Sequence, residues 1–397
     1  MIILDKPYVS DLLIDTISKN NFTVLNSEYV KSLNLRSSIN VIDDKSAIKE
    51  FNSELNPKIY SNSENAINWI SNNLNKTTLP EKINLFKDKV KFRDLTKDIY
   101  PDLYYKEVDF NDIANIQIDD IPMPFIIKPS VGFFSMGVYQ VYSKKDWEII
   151  PQLISEEIEK TQNMYPAEVL DTNKFIIEQM IDGDEYAFDV YFNSNGKPVV
   201  LGIFKHIFSS SDDVGDRVYF SSKDIILKYL DNFTILGNEI GKRANLKNFP
   251  MHVEVRVDNN GVIIPIEVNP MRFGGWCTTA DLTTFAYNLN PYEYYFNQKE
   301  PDWNKLLENK EDLHYCMVIL DNTTGHKAEN IIDFNYDAVL KQFSKPLDLR
   351  KTDWNEYPVF GILFTETHKD NYKEIELILK SDLKEFVTLN KPSLKDY

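Results

Sequence analysis

Two glutamates and an asparagine lie close together in the sequence, at a spacing that could bind a metal ion. Between residues 252 and 275, two apolar-alternating runs flank Asn260-Gly261, the usual signal for a β-hairpin with a two-residue turn. Such a turn places Glu254 directly opposite Glu267, and like charges at facing positions of a sheet repel each other. A divalent cation removes that cost, since carboxylate and amide oxygens are ligands that Mg²⁺ prefers. The pattern therefore predicts a metal site formed by Glu254, Glu267 and Asn269.

The same predicted register brings two further polar side chains to this face. It pairs His252 with Asn269 and Arg256 with Pro265, and alternate residues of a strand share a face. His252 and Arg256 are therefore candidate catalytic residues. For each of them a buried structural role is the alternative, and for the whole stretch the alternative is a solvated sheet face without a metal.

The composition favours a soluble, cytoplasmic enzyme over a nucleic-acid-binding or membrane protein. The chain has 397 residues, with 61 acidic and 44 basic side chains and a formal charge of −17. The negative electrostatic field of such a charge disfavours binding to the phosphate backbones of nucleic acids. No apolar window is long enough to cross a bilayer. Two cysteines are too few for a disulfide framework, and charged residues interrupt the N-terminal apolar run before a signal peptide could form. The length suits about two to four domains.

Residues 1–85 have the pattern of a small parallel α/β unit. Short apolar runs at 2–4, 22–25 and 39–42 predict strands, and residues 11–18 and 64–74 have helical spacing. No G-x-G-x-x-G follows the first strand, so the dinucleotide-binding fingerprint is absent. Residues 86–95 then predict one basic helix in an acidic protein.

A glycine- and serine-containing loop joins two predicted strands at 125–128 and 138–142. The first strand ends in Lys128, and the loop contains Gly132, Ser135 and Gly137. Such a loop can turn backbone N–H groups and a hydroxyl toward phosphate oxygens. It lacks the Gly-Lys-Ser/Thr of a Walker A loop and the Gly-x-Ser-x-Gly of a nucleophile elbow.

The remaining chain alternates strands and helices around the hairpin of residues 252–275, which is called the metal hairpin because it carries the predicted metal ligands. Strands are predicted at 174–181, 185–192 and 199–208, and helices at 146–160 and 222–246. Beyond residue 290, strands at 313–320 and 358–366 and a helix at 371–381 form a further unit without a catalytic constellation.

The order of these features resembles the ATP-grasp superfamily of carboxylate–amine ligases. Four features follow one another between Lys89 and Gly275. They are a basic helix, a strand ending in Lys-Pro before a Gly/Ser loop, a hinge with a second glutamate after it, and Glu254 followed by Glu267-x-Asn269. The resemblance implies an α/β (α+β) fold with four parts. These are a Rossmann-like pre-ATP-grasp domain at 1–85, a lid and central subdomain at 86–182, a catalytic subdomain at 183–290, and a C-terminal α/β extension at 291–397.

The resemblance also implies a role for individual residues. Lys89 and Lys128 would hold the phosphates of ATP, and the loop with Ser135 and Gly137 would close over them as a lid. The hinge that meets adenine would be formed by the backbone of Glu178, Gln179, Met180 and Ile181. Glu185 would bind the ribose hydroxyls, and Glu254, Glu267 and Asn269 would bind Mg²⁺, with Mn²⁺ as an alternative ion.

Two details indicate a branch of the superfamily. His252 before the first metal ligand, and Arg272-Phe273-Gly274-Gly275 after the second, resemble ligases that join L-amino acids. D-alanine–D-alanine ligase has an arginine where His252 stands. Met271, which separates Pro270 from Arg272, departs from the common Asn-Pro-Arg order.

The implied chemistry is ATP-dependent amide formation. ATP converts a carboxylate into an acyl phosphate, which an amine attacks, and Arg272 would stabilise the tetrahedral oxyanion. The implied partners are ATP and two small substrates, which we expect to be L-amino acids, and L-aspartate with L-methionine is one candidate pair. Nucleic acid and membrane are not expected partners, and a homodimer is left open. The alternatives are a kinase-like ATP-grasp phosphotransferase and a nucleotide-binding regulator without turnover.

Overall fold

The chain folds into two compact units, described here from a computed structural model. The structure describes residues 1–33, 35–54, 57–132, 137–161, 171–209 and 215–390. The first unit comprises Met1–Leu201, Asp231–Cys277 and Tyr292–Glu300, and the second comprises Gly202–Leu230, Thr278–Pro291 and Pro301–Tyr397. Every predicted site residue that the structure describes belongs to the first unit.

The first unit begins with a four-stranded parallel sheet. Its strands are β1 (Ile2–Ile3), β2 (Val24–Leu25), β3 (Val41–Ile42) and β4 (Tyr60–Ser61), in the order β3-β2-β1-β4. The helices are α1 (Asp11–Asn20), α2 (Glu28–Ser32), α3 (Asp44–Ser53) and α4 (Ala66–Asn73). This order is half of the doubly wound arrangement, in which ligands bind beyond the carboxyl ends of the strands where the order reverses. The predicted Rossmann-like fold of this part is confirmed, and its bounds as a domain stay a prediction.

The basic stretch after this sheet forms two helices, so the prediction of one helix over 86–95 is wrong. They are α5 (Leu79–Lys87) and α6 (Lys89–Thr96). Asp88 between them has extended backbone angles, and its carboxylate accepts hydrogen bonds from the N–H groups of Val90 and Lys91. An aspartate competes in this way for the N–H groups of a helix start, so it begins a new helix instead of continuing the old one.

A second, antiparallel sheet follows in the first unit. Its strands are β5 (Tyr105–Asp109), β6 (Phe125–Val131), β7 (Tyr139–Val141) and β8 (Asp171–Gln179), in the order β5-β8-β6-β7, and α7 (Lys144–Trp147) and α8 (Ile150–Thr161) accompany them. Ile127, Phe175 and Ile177 of the sheet and Ile154 of α8 belong to one buried core. In this register Ile126 faces Glu178 and Lys128 faces Ile176. Lys128 and Glu178 are thus diagonal neighbours on the same face of the sheet.

The metal hairpin lies in the next group of elements. These are β9 (Asp184–Phe192), β10 (Pro198–Ile207), β11 (Val218–Ser222), α9 (Lys223–Arg243), β12 (Phe249–Val257) and β13 (Ile263–Pro270). β12 is antiparallel to both β9 and β13. The site therefore rests on a strand that is fixed on both sides, which suits side chains that must be held in place.

The turn of the hairpin differs from the prediction. Three residues connect the strands, because the N–H of Asp258 donates to the carbonyl of Val262 and the N–H of Gly261 donates to the carbonyl of Asp258. Gly261 has a φ of +81°, which a glycine adopts without cost. The predicted pairing of Arg256 with Pro265 is wrong, since Arg256 faces Ile264. A β-bulge beyond that point shifts the register by one residue and returns Glu254 to its predicted place opposite Glu267.

The second unit contains the remaining strands and most of the remaining helices. From β10 onward its sheet has the order β10-β11-β14-β17-β16, and a separate pair joins β15 and β18. The bounds are α10 (Thr278–Tyr287), α11 (Pro291–Phe296), α12 (Trp303–Leu306), β14 (Leu313–Asp321), β15 (Ile331–Phe334), α13 (Tyr336–Leu340), β16 (Pro346–Lys351), β17 (Val359–His368), α14 (Lys373–Lys380) and β18 (Val387–Leu389). Among the helices of the described residues, none has the length and apolar character needed to span a membrane.

Candidate functional site

The predicted metal ligands lie on a face built from three neighbouring strands. Asp189 of β9, His252 of β12 and Asn269 of β13 form one row across the strands. The next row is Ala187, Glu254 and Glu267, and Glu185 faces Arg256 beyond it. The two carboxylates of the site are thus brought to facing positions, with only an alanine beside Glu254 on β9.

The donor set of this face fits a magnesium ion. The side-chain amide of Asn269 donates to Glu254 Oε1 over 3.4 Å, and His252 Nε2 lies 3.7 Å from the same oxygen. Rotating the amide about its last bond would present its oxygen instead. Among the described residues no group of three or more His, Cys, Asp or Glu side chains is arranged to hold a metal. Two carboxylates and one amide form an incomplete shell, which suits Mg²⁺ because it keeps several waters and phosphate oxygens as ligands.

Lys89 connects the face with Glu254 and Glu267 to the loop that is predicted to bind phosphate. Its Nζ donates to the carbonyl of Gly132 over 3.4 Å. Burial lowers the pKa of Lys89, while the charge of Glu267 opposes this change and that of Lys128 adds to it. The structure therefore places the two predicted phosphate-binding lysines and one predicted metal ligand within electrostatic reach of each other.

Glu178 has a side-chain role that the sequence did not reveal. Its carboxylate binds Lys128 Nζ at 2.5 Å and Arg93 Nε at 2.8 Å, and both Glu178 and Arg93 are only 3% exposed. Arg93 Nη1 also donates to the carbonyl of Pro265 over 2.7 Å. Burial alone would raise the pKa of Glu178, but Arg93 and Lys128 lower it to about 2. The carboxylate therefore stays ionised and fixes Lys128, while Arg93 ties it to the metal hairpin.

The predicted hinge is anchored through its backbone. The N–H of Gln179 donates to the carbonyl of Tyr104 at 2.9 Å, and that of Met180 donates to the carbonyl of Pro124 at 3.0 Å. Ile181 is buried, and its carbonyl accepts a hydrogen bond from Arg256 Nη1 at 3.4 Å. The contact of this segment with adenine stays a prediction.

Arg256 binds Glu185, the residue predicted to hold the ribose. Its Nη2 and Nε lie 2.9 and 3.2 Å from Glu185 Oε2. Together with the bond to Ile181, these contacts join the hinge to β12, the strand of the predicted metal ligand Glu254. They favour the structural alternative for Arg256 over a catalytic role.

His252 is held by an aspartate that the sequence analysis did not single out. His252 Nδ1 and Asp189 Oδ1 are 2.8 Å apart, and the N–H of Gly274 donates to the same oxygen at 3.2 Å. Asp189 is fully buried, so these contacts order both the imidazole and the glycine-rich exit of the hairpin. One signal was present in the sequence: after Glu185, Asp189 is the one charged residue among the apolar and aromatic residues of the predicted strand 185–192.

Arg272 contacts a residue that follows the last strand of the N-terminal sheet. Its Nε and Nη2 lie 3.2 and 2.8 Å from Glu64 Oε1, and its Nη1 donates to the carbonyl of Phe273 at 2.9 Å. The other oxygen of Glu64 pairs with Lys87. No pattern in residues 1–85 pointed to Glu64, because its partner lies 208 positions away.

The predicted lid is only partly described. Ser135 lies outside the described residues. Gly137 has a φ of +70°, and its N–H donates to the carboxylate of Glu157 at 3.0 Å. A side chain at position 137 would crowd the ring of Pro129, so glycine is required there. The lid function of this loop stays a prediction.

The fold and part of the sequence match known proteins. Residues 121–280 match the family model described as ATP-grasp domain. Among curated proteins none matches the chain. The match covers strands β6 to β8 of the second sheet, the hinge and the hairpin of β12 and β13, so these elements are similar to an ATP-grasp domain.

Solved structures with the same fold extend over nearly the whole chain. An L-amino acid ligase from Bacillus licheniformis has a TM-score of 0.66 and 16% identity, covering 99% of this chain and 98% of its own. Biotin carboxylase from Campylobacter jejuni, in a βγ-ATP complex, has a TM-score of 0.64 and 13% identity, covering 98% and 92%. N5-carboxyaminoimidazole ribonucleotide synthetase from Thermotoga maritima has a TM-score of 0.62 and 14% identity, covering 98% of each chain. The chain therefore has the ATP-grasp fold, and its resemblance to ATP-grasp ligases is confirmed.

Proposed function

We propose that this protein is an ATP- and Mg²⁺-dependent ligase that joins a carboxylate to an amine through an acyl phosphate. The single observation that carries the proposal is the facing pair Glu254 and Glu267, with Asn269 beside it and the partly buried Lys89 within electrostatic reach. Two opposed carboxylates beside a partly buried lysine are costly without a cation and a polyanion to balance them. A protein that only needed a stable sheet would gain by replacing them.

The residues of the first unit divide the work in this proposal. Lys89 and Lys128 bind phosphate oxygens, and Glu178 keeps Lys128 in position through a buried ion pair. Mg²⁺ on Glu254 and Glu267 would supply charge neutralisation for the transferred phosphoryl group. Because Glu185 binds Arg256, its approach to the ribose is fixed by the same strand that carries Glu254.

The second half of the reaction needs a group that stabilises an oxyanion. When the amine attacks the acyl carbon, the carbonyl oxygen gains charge, and Arg272 is the cation that we assign to it. His252 lies between the buried Asp189 and Glu254, so its ring is positioned by one carboxylate and faces another. We assign His252 to the acyl side of the site.

The proposed substrates are two L-amino acids. Support comes from the sequence around His252 and Arg272 and from the L-amino acid ligase that shares this fold. The same fold also occurs in a biotin carboxylase and in an N5-carboxyaminoimidazole ribonucleotide synthetase, so the substrate pair has to be measured. L-Aspartate with L-methionine is the first pair to test.

A substrate screen tests the reaction class. The protein is incubated with Mg-ATP and pooled L-amino acids, and ADP and new products are followed by mass spectrometry. An amide product formed together with ADP supports the ligase. A stable phosphorylated product without amide would show a phosphotransferase, and absence of ADP with every pool would leave a nucleotide-binding regulator.

A substitution at the metal face tests the site. Glu267→Gln should abolish turnover and remove the Mg²⁺-dependent part of ATP affinity, because it deletes one charged ligand while it keeps the shape of the side chain. Calorimetric ATP titrations with and without Mg²⁺ measure that part separately from activity. Glu329→Gln is the control, since this carboxylate is 74% exposed in the second unit. Full turnover by Glu267→Gln would contradict the metal assignment.

A further inference from the structure

Glu64 is a buried carboxylate shared by two cations of the first unit. It lies between β4 and α4, at the carboxyl end of the strand where the order of the parallel sheet reverses. One of its oxygens binds Arg272 through Nε and Nη2, and the other binds Lys87. The three side chains are between 5 and 13% exposed. The contact is therefore an interior one, where a fixed geometry can be maintained.

The backbone holds the two ends of this contact together. Met271 has a φ of +68°, which is strained for a side chain of its size. Its N–H donates to the carbonyl of Pro250, and its own carbonyl accepts from the N–H of Ser61, both at 2.8 Å. Ser61 ends β4, so the chain that presents Arg272 is bonded directly to the strand that presents Glu64. The residue that departs from the common Asn-Pro-Arg order thus has a defined structural use.

The contact leaves part of the guanidinium available. The guanidinium has five N–H groups. Three of them make hydrogen bonds within the described part of the chain: the N–H of Nε, one of Nη2 and one of Nη1. One N–H on each terminal nitrogen remains for a further acceptor. Glu64 thus fixes one edge of a planar group whose terminal nitrogens can bind an oxygen anion.

The charge state of Glu64 suits this role. Burial alone would raise its pKa, but Lys87 and Arg272 lower it to about 2. Glu64 is therefore ionised at neutral pH and can hold a cation continuously.

We propose that Glu64 is a positioning residue for the amide-forming step, because it fixes the guanidinium of Arg272 in the orientation that binds the oxyanion. The inference rests on the proposed ligase function, and it makes the N-terminal sheet a contributor to the catalytic site. In that step the amine nitrogen bonds to the acyl carbon and the carbonyl electron pair moves to oxygen. The oxyanion then collapses, the bond from carbon to the phosphate oxygen breaks, phosphate leaves, and the amine proton passes to solvent.

The proposal predicts a change in coupling that a purely structural role would not produce. Formation of the acyl phosphate does not need Arg272, so Glu64→Gln should still make ADP. Its amide synthesis should fall about tenfold or more, as expected when a catalytic group is misplaced. Acyl phosphate that is not captured leaves the site and is hydrolysed in water. The number of amides formed per ADP, near one in the wild type, should therefore drop several-fold, while the KM for ATP stays within about twofold.

A double-mutant cycle tests whether Glu64 acts through Arg272. Glu64→Gln, Arg272→Lys and the double variant are compared in amides formed per ADP. If Glu64 works by orienting Arg272, adding Glu64→Gln to Arg272→Lys causes no further loss. Equal and additive losses would overturn the proposal.

A matched control separates positioning from stability. Asp281→Asn breaks a buried carboxylate–arginine pair with Arg350 in the second unit. It should lower the melting temperature and leave the amide-to-ADP ratio unchanged.

If Glu64→Gln fails to fold, Glu64→Asp replaces it, because it keeps the charge and withdraws the carboxylate from Arg272 by one methylene. A ratio that stays at the wild-type value in the folded variant overturns the inference alone, whereas absence of any amide from the wild type overturns the proposed function as well.

Discussion

Replacing Glu178 by glutamine should lower the free energy of unfolding at pH 7 and have a smaller effect in acid. Glu178 is buried between Arg93 and Lys128, at 2.8 and 2.5 Å. Glutamine keeps the size of the side chain and can still accept a hydrogen bond. It removes the negative charge, however, and leaves two buried cations without a counter-ion.

The pKa of Glu178 sets the magnitude of this effect. Burial opposes ionisation, but the two cations lower the pKa from 4.5 to about 2, and this difference corresponds to about 3 kcal/mol. A group with a lowered pKa in the folded state stabilises the fold fully above its unfolded pKa, and this stabilisation is lost as the pH falls through the folded pKa. The difference between wild type and Glu178→Gln should therefore be about 3 kcal/mol at pH 7 and about 1 kcal/mol at pH 3. The value at pH 7 agrees with the roughly 3–5 kcal/mol typical of breaking a buried ion pair.

Urea titrations at pH 7, 5 and 3 measure this difference directly. Glu329→Gln, which changes an exposed carboxylate, should unfold at the same urea concentration as the wild type at pH 7, since surface substitutions cost at most about 0.5 kcal/mol. A loss in the free energy of unfolding, relative to the wild type, that is the same for Glu178→Gln at all three pH values would refute the ion-pair explanation. So would a variant as stable as the wild type at pH 7.

Two further predictions concern backbone strain and thiol reactivity. Gly183→Ala, in the turn between the hinge and β9, should destabilise the protein by at least about 2 kcal/mol, because φ is +117° there and a Cβ would collide with the backbone carbonyl of Val257; an unchanged urea midpoint would contradict this. Cys277 and Cys316 are buried, and burial raises the pKa of Cys316, so a thiol reagent should label both only after unfolding. Labelling of either thiol at the same rate with and without denaturant would be the contrary result.

The pairing of Glu254 with Glu267 could be predicted although the turn could not. Alternation of apolar and polar residues fixes which side chains share a face, and this pattern is local. The turn has one residue more than predicted, because the Asp258 carboxylate accepts hydrogen bonds from the N–H groups of Asn260 and Val262. The bulge between Glu254 and Val255 compensates for that residue. The predicted register at Glu254 and Glu267 was therefore correct even though its assumed turn was not.

The partners of the predicted residues could not be read from the sequence. Arg93 meets Glu178 over 85 positions, and Glu64 meets Arg272 over 208. Such contacts depend on how whole sheets are placed, and no local spacing encodes them. Asp88 differs, because an aspartate before a helical run is a recognisable N-cap, and this signal would have divided the predicted basic helix correctly.

The arrangement of these partners explains how an acidic protein can hold a polyanion. The chain has a formal charge of −17, yet two buried carboxylates of its first unit each bind two cations. The two sets are Glu178 with Arg93 and Lys128, and Glu64 with Lys87 and Arg272. A buried cation is tolerated only when it is paired, so each carboxylate stabilises its two cations in their interior positions. Each set contains one more positive than negative charge, and both sets lie in the unit that carries the predicted phosphate-binding lysines. Binding of an anion there would neutralise charge that the fold has already withdrawn from water, and this supports the proposed binding of a nucleotide phosphate.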